Sequence, residues 1–336
     1  MSEIRQDITT NEWVIFSSER AKRPCDFVKP AKPLPPEYEP KCPFCPGNEA
    51  KTPPEELAYR KDGTPNGPGW WIRVIPNKFA ALAPVTGEPK RGVEYGIFRK
   101  MDGAGRHEVL IENPKHNLYF NQIDDKQAEE VVIALRERYL VLRKEPNVKV
   151  VVIFKNHGEG AGTSLAHPHC QIVATTIVPQ SLRRKLAAAT RYTDDNGGCV
   201  YCDMVEAELK AGVRVVEDNN SFLVIHPFAA RSPFETWILP KKHGASFGNI
   251  EMDLAKELGK AIKRQLAKIF TLLGNPDYNI VVHTAPIGEE SEDYFHWHLR
   301  IIPRLTMMAG FEIGSGIFIN TALPEETAPA IKAVQV

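Results

Sequence analysis

With 336 residues, 43% hydrophobic and 25% charged, the chain has enough apolar material for a packed core and falls outside the disordered and fibrous classes. Lysine plus arginine equals aspartate plus glutamate at 42 each, so no overall field draws it onto nucleic acid or an anionic membrane, and any phosphate site must be local. No run reaches the roughly 18 apolar residues that span a bilayer, and Met1 to Asp7 shows no leader-like apolar segment, so a soluble, cytoplasmic protein with no membrane partner is expected.

In chain order, Trp13 to Phe16 reads as a strand running into the basic Arg20 to Arg23. Residues 29–40 hold so many prolines that neither helix nor central strand is possible, and this connector delivers the chain to Cys42 and Cys45. Strand-like runs follow at 70–75, 94–98 and 107–112, then a helix from Asp124 to Lys144 with Val131, Val132, Leu135, Tyr139 and Leu142 on one face. A buried strand at 148–154 enters the glycine-rich loop 158–162, which opens onto His167-Pro168-His169-Cys170-Gln171. A short helix near 180–190 leads to a second CxxC, Cys199 and Cys202. Strands at 222–226 and 234–239, a helix at 251–273, and strands at 279–283 and 297–302 complete the pattern.

The same parts recur in the same order, which is the signature of an internal duplication. Cys42/Cys45 is matched by Cys199/Cys202, and the segment Glu108 to His116 by Glu235 to His243. A helix and a strand follow each, then His167-Pro168-His169 in one half and His296-Trp297-His298 in the other. His116 lies 51 residues before His167, and His243 lies 53 before His296. The duplication suggests a boundary near 178, with a catalytic lobe at 1–178 and a second lobe at 179–336.

A CxxC pair in a reducing compartment suits a tetrahedral metal ion or redox chemistry, and each ion needs two further ligands. The repeat nominates Cys42, Cys45, His116 and His167 for the first ion and Cys199, Cys202, His243 and His296 for the second. The redox reading is weaker for the first pair, because Cys45-Pro46-Gly47 is a turn rather than the start of a helix. Zinc is expected at the first site and zinc or iron at the second.

If His167 holds an ion, His169 is carried by the same turn, and a neutral imidazole anchored through one nitrogen leaves the other as a nucleophile. The bland alternative is one more ligand or a core histidine. Gln171 donates hydrogen bonds to a phosphate oxygen but cannot deliver a proton, so the leaving group must need none, as a phosphate does. Asn156, Gly162, Thr163 and Ser164 lie in a loop able to bring backbone N–H groups and hydroxyls to phosphate oxygens.

At this point the chain resembles the galactose-1-phosphate uridylyltransferase family of the histidine triad superfamily. The resemblance rests on Arg20-Ala-Lys-Arg23-Pro24, Cys42-Pro-Phe-Cys45, Asn77-Lys-Phe79, His116, Gly162-Thr-Ser-x-x-His167-Pro-His169-x-Gln171, Pro233 to Pro240 and Gly310-Phe311-Glu312. It implies an α+β fold of two related histidine-triad-like lobes, each an open antiparallel sheet with flanking helices, assembled as a homodimer. It implies too that His169 attacks the α-phosphorus of a nucleotide sugar with Gln171 stabilising the phosphoryl oxygens, and that another sugar 1-phosphate then takes up the nucleotide. Arg20, Arg23, Asn77, Asn156, Gly162, Thr163 and Ser164 would bind nucleotide and phosphates, and Phe311 and Glu312 the hexose. The tail Thr306 to Gly316 and the second CxxC look more like plant relatives that act as ADP-glucose phosphorylases, which transfer adenylyl groups to phosphate. A zinc-ribbon protein binding nucleic acid is the reading from another class, and the absent basic stripe argues against it. His298 precedes Arg300 where the first half has glutamine, so the second motif reads as a copy kept for its metal.

Overall fold

The computed structural model describes residues 2–17, 24–28 and 34–336. The chain opens with a hairpin, β1 (Glu3–Asp7) and β2 (Glu12–Phe16), and after the proline-rich connector forms β3 (Leu57–Arg60), β4 (Trp70–Pro76), β5 (Arg91–Glu94), β6 (Phe98–Met101) and β7 (Gly105–Ile111). Helix α1 (Asp125–Leu142) precedes β8 (Val150–His157) and β9 (His169–Thr175). Then come α2 (Gln180–Asn196), α3 (Val200–Ala211), β10 (Val215–Asp218), β11 (Phe222–Ile225), β12 (Thr236–Pro240) and α4 (Met252–Leu273). The chain ends with β13 (Tyr278–His283), β14 (His298–Pro303), α5 (Gly310–Ser315), β15 (Phe318–Asn320) and α6 (Pro324–Lys332).

The two half-sheets merge. Ten strands run β3-β4-β7-β9-β8-β13-β14-β12-β11-β10, and every neighbour is antiparallel. Read outward from the β8/β13 seam, the order is the same on both sides, so the duplication seen in sequence is a two-fold relation in space. Gln171 pairs with Phe154 and Arg300 with Val281, while Phe154 pairs with Val281 across the seam. Gln171 therefore corresponds to Arg300, His169 to His298 and Asn156 to His283.

Strand alternation decides what each face carries. On one face Val151, Ile153, Ile172, Ala174, Ile280 and Ile301 pack against α1 and α4, whose apolar stripes include Val131, Leu135, Leu258 and Ile262. Helix α1 starts where the Asp124 carboxylate accepts the Gln127 N–H at 2.7 Å. The other face is covered by α2 and α3 over the second half, with Leu182, Val200 and Tyr201 against Leu223 and Trp237. Over the first half, among the described residues, the Cys42 to Cys45 segment and Leu165 cover it, on Trp70, Ile75, Val109 and Ile111. His169 and Gln171 alternate onto this thinly covered face.

One expectation is corrected. Residues 94–98 are not one strand but the tip of the β5/β6 hairpin: Glu94 pairs with Phe98 and residues 95–97 form a three-residue turn in which Tyr95 (φ 50°) and Gly96 (φ 78°) have positive φ. The second CxxC does begin a helix, Cys199 standing just before α3, because no Pro-Gly follows it as Pro46-Gly47 follows Cys45. No helix among the described residues is long and apolar enough to cross a membrane.

Helices α1 and α4 meet where Gly259 faces the backbone of Ala128; a Cβ there would lie 2.4 Å from the Ala128 carbonyl oxygen. Gly259→Val should therefore cost about 3 kcal/mol, the upper end of the overpacking range, read as a lowered urea midpoint with an unchanged slope.

Candidate active site and metal centres

Cys42, Cys45, His116 and His167 converge at the thinly covered face, their donor atoms all within 4.8 Å of one another. Cys42 Sγ is 3.8 Å from His167 Nδ1, and Cys45 Sγ is 3.6 Å from His116 Nδ1 and 3.7 Å from His167 Nδ1. Tetrahedral ligation with S and N at zinc-like distances separates such atoms by about 3.5 Å, so the donor set already has the spacing of a closed four-coordinate site. His167 Nε2 donates to the Asn113 carbonyl at 2.8 Å, which leaves Nδ1 as the lone pair facing the thiols. Burial, with Cys45 alongside, pushes the Cys42 thiol up to about 11, and burial, with His116, His169 and Lys155 nearby, pushes the His167 imidazole down to about 4. A divalent cation reverses the first shift by stabilising the thiolate, so binding releases protons.

The second half builds the same knot from Cys199, Cys202, His243 and His296, also within 4.8 Å. Cys202 Sγ lies 3.3 Å from His243 Nδ1 and 3.5 Å from His296 Nδ1. The Cys202 thiol beside Cys199 holds that sulfur far below the ordinary thiol range and is itself raised, so the pair carries one thiolate. Both groups can hold a metal ion.

His169 opens β9 immediately after the metal-facing His167 and Pro168. Its Nδ1 sits 2.8 Å from the His167 carbonyl oxygen, which can only accept, so Nδ1 carries the proton and Nε2 keeps the lone pair. The ring is 6% exposed, and burial holds its pKa below the usual histidine value. Phe44, between the two zinc-type cysteines, packs edge-on against it with centroids 5.5 Å apart. Behind the strand, Lys155 Nζ pairs with Glu112 Oε1 at 2.5 Å and approaches the His169 carbonyl at 3.5 Å.

Gln171, two residues on, is held by a residue the sequence reading did not single out. Ala81 N–H donates to His107 Nδ1 at 3.2 Å, which places the ring proton on Nε2, and Nε2–H donates to Gln171 Oε1 at 2.8 Å. With its oxygen occupied, the Gln171 amide presents its two N–H bonds. Asn77 lies alongside, its Nδ2 3.1 Å from His107 Nε2 and its Oδ1 accepting Phe79 N–H at 2.9 Å. His107 stands one alternation before Val109 in β7, whose partner is Gln171, but only the register makes that neighbour visible.

The glycine loop is fastened from the other half. Asn279 Nδ2 donates to Asn156 Oδ1 at 2.8 Å and to the Ala161 carbonyl at 2.9 Å, and Asp277 Oδ2 accepts Gly160 N–H at 2.8 Å. A Cβ on Gly158 (φ 83°) would lie 1.8 Å from Asp277 Oδ1, so glycine is required there. Gly162 (φ 87°) turns the loop toward Thr163, whose buried Oγ1 has no partner among the described residues, and Ser164 is exposed. Phe311 and Glu312 are not among these groups: they ride the short exposed helix α5, and Glu312 faces a cavity shared with Lys185 and Arg300. Arg20 and Arg23 lie outside the described residues.

The galactose-1-phosphate uridyl transferase N-terminal domain matches residues 1–179, and the C-terminal domain of the same enzymes matches 185–326. The chain belongs to the galactose-1-phosphate uridylyltransferase family. It is 37% identical to an ADP-glucose phosphorylase of Arabidopsis thaliana, over 99% of this chain and 93% of that one. It is 31% identical to a galactose-1-phosphate uridylyltransferase of Thermotoga maritima, over 100% and 99%. Among solved structures, the Arabidopsis ADP-glucose phosphorylase with bound ADP-glucose superposes with a TM-score of 0.83 at 33% identity, each chain fully covered. A uridylyltransferase superposes with 0.76 at 28% identity, covering 99% and 98%.

Within this family scaffold the second His-x-His is chemically closed. His298 stacks between Trp237 (centroids 4.9 Å) and His283 (4.8 Å) with no exposed surface, and Arg300 is tied to Glu235. In the first half the corresponding histidine is packed edge-on by Phe44, and a glutamine stands where the second half has Arg300.

The two halves are also joined by His157, stacked on Tyr278 at 4.6 Å and donating from Nε2 to Asn275 Oδ1 at 2.8 Å. Burial, with help from Lys155, lowers its pKa to about 4. The folded state thus keeps this imidazole neutral where the unfolded chain takes a proton, so stability falls as pH drops from about 6.5 toward 4. Thermal melts across that range should show a shallower fall in His157→Gln than in the natural chain.

Proposed function

We propose that the chain transfers a nucleotidyl group from a nucleotide sugar through a covalent bond to His169, as a galactose-1-phosphate uridylyltransferase does. One observation carries this reading: the His169 proton is fixed on Nδ1 by the His167 carbonyl, leaving Nε2 unprotonated beside the Gln171 amide. Nε2 attacks the α-phosphorus, the bond to the sugar 1-phosphate oxygen breaks, and that group leaves as a phosphate ester needing no proton. A second sugar 1-phosphate then attacks the same phosphorus and frees Nε2, which gives ping-pong kinetics. Gln171 N–H bonds and the Thr163 hydroxyl suit the charge that develops on the non-bridging oxygens. Asn77, Asn156, Gly162 and Ser164 complete the nucleotide and phosphate contacts in this reading, with Arg20 and Arg23.

Two thiolates and two imidazoles per site favour zinc over iron at both knots. All four positions are filled by protein, so each ion is structural. The catalytic half is residues 1–178 and the second half 179–336. The exposed C-terminal segment, with Met307 at 92% and Ile313 at 72% exposure, supports assembly as a homodimer in which Phe311 and Glu312 reach the hexose bound by a neighbouring copy.

A second reading keeps every step and changes base and acceptor: adenylyl transfer from ADP-glucose to phosphate. The 37% identity and the TM-score of 0.83 to the Arabidopsis phosphorylase favour it. Intact-protein mass after incubation with UDP-glucose or with ADP-glucose, without acceptor, separates the two. A UMP-sized adduct on the natural chain, absent from His169→Gly, is the expected result, and an AMP-sized adduct selects the second reading. No adduct in rapidly quenched, metal-loaded protein removes the covalent histidine altogether.

His107 acts through Gln171 in this scheme. His107→Phe, which keeps the ring and removes the donor, should slow transfer at least about tenfold, part of the roughly 10²-fold that a preorganised donor contributes. In a Gln171→Ala background the same substitution should cost almost nothing, and His107→Gln, able to donate from a similar position, should recover most of the rate.

A further inference from the structure

Across the seam on the same sheet face lies a cavity of about 430 Å³, walled on one side by Met307, Met308 and Glu312 of the C-terminal segment and otherwise lined by residues that no step above uses. Ligand pockets run roughly 300–1,000 Å³. Its floor is apolar, formed by Val152, Val281 and Ile302, with Leu182 of α2 at the side. Four cations converge on it: Lys185, Arg231, Arg300 and Arg304.

The carboxylates nearby are already committed. Glu235 accepts from Arg300 Nε at 2.9 Å, from Trp237 Nε1 at 2.8 Å and from the Arg231 backbone N–H at 2.8 Å. Glu12 takes Arg231 at 2.7 Å, and Glu312 accepts the Ala309 N–H at 3.0 Å. Lys185 is left over. It is 5% exposed, its Nζ donates to His283 Nδ1 at 2.9 Å, and no carboxylate among the described residues pairs with it. The Nε of Arg231 is likewise buried without an acceptor. Burial, with Arg300 and Arg231 nearby, holds the Lys185 amine well below the usual lysine range, and an anion seated in the cavity would favour its charged form.

We propose that this cavity binds a nucleotide-sized phosphate ester, its phosphate against Lys185 and Arg231 and its apolar part on Val152, Val281 and Ile302. The site is distinct from the one built on His169, and His298, the second half's counterpart of that residue, is enclosed by rings and does not line it. It is not isolated from the first site. Arg304 at its far wall donates from Nε to Asn279 Oδ1, and Asn279 holds Asn156 and Ala161 of the glycine loop. A ligand that engages Arg304 therefore draws on the contacts that fasten that loop.

Equilibrium dialysis of the metal-loaded, full-length protein with labelled AMP and with labelled UMP counts the sites. Two per chain are expected for at least one probe. Lys185→Met, which removes a buried charge, and Ile302→Trp, which fills the floor, should each weaken one site at least tenfold and leave the other. One site per chain with both probes, or two sites that neither substitution affects, overturns the proposal. The mass-shift assay on His169 is read separately in the same variants: an adduct without the second site rejects this inference alone, and a second site without an adduct rejects only the covalent mechanism.

Discussion

The hydrogen bond from His169 Nδ1 to the carbonyl oxygen of His167 ties the metal knot to the chemistry, and most of the fold serves to keep it in place. The carbonyl belongs to a residue whose own ring is fixed at both nitrogens, Nε2 on Asn113 and Nδ1 among the thiols of Cys42 and Cys45. A peptide group anchored in that way does not swing out to solvent, so the tautomer of His169 is set before any ligand arrives. Pro168 removes an N–H from the turn and lets the strand begin at His169 rather than at His167. With an ion held by all four protein ligands, the site would be structural in its ligation and, in the proposed reaction, would matter to catalysis by holding the acceptor that decides which nitrogen can attack.

The duplication explains where the remaining parts come from. A two-fold relation places the seam strands β8 and β13 side by side, so residues of the second half fall next to the glycine loop of the first. Asn279 and Asp277 hold the loop, and the stacked His157 and Tyr278 close its base. The second half thus positions the loop of the proposed site, while its own histidine is sealed by Trp237 and its glutamine position is taken by Arg300. A half-sheet alone would leave the loop unfastened.

Much of this was legible in the residues. Paired CxxC motifs, matched spacings to His167 and His296, and the helix and strand between them identify both metal knots, because ligand chemistry demands particular side chains at short range. What could not be read is whatever depends on register. His107 is a lone histidine in an alternating segment, and only the pairing of Val109 with Gln171 brings it to the glutamine. Asn279, Asp277 and Lys185 meet their partners over more than 95 residues of intervening chain or across the seam, where no local pattern announces them. The merger of two half-sheets into one depends likewise on the β8/β13 edges, whose unpaired N–H and C=O groups favour joining over exposure. The Tyr95-Gly96 turn was hidden because an aromatic and aliphatic run imitates a strand while its backbone takes positive φ.

The buried pair beneath His169 marks a compromise between stability and geometry. Lys155 and Glu112 are almost fully enclosed, and ion pairs of this kind often contribute less to stability than well-packed apolar residues would, while loss of one partner costs about 3–5 kcal/mol. Lys155 also approaches the His169 carbonyl, and Cys170 donates to Glu112 at 3.2 Å, so the pair grips β9 at the residue proposed as the nucleophile and the one after it. The positive end lies toward the imidazole and disfavours a second proton on it, as burial does. An apolar replacement of both residues could pack as well, yet it would surrender the directional hold on the strand and the field that keeps Nε2 unprotonated. The arrangement makes sense as a device that spends some stability to hold one neutral nitrogen, in one tautomer, at one place.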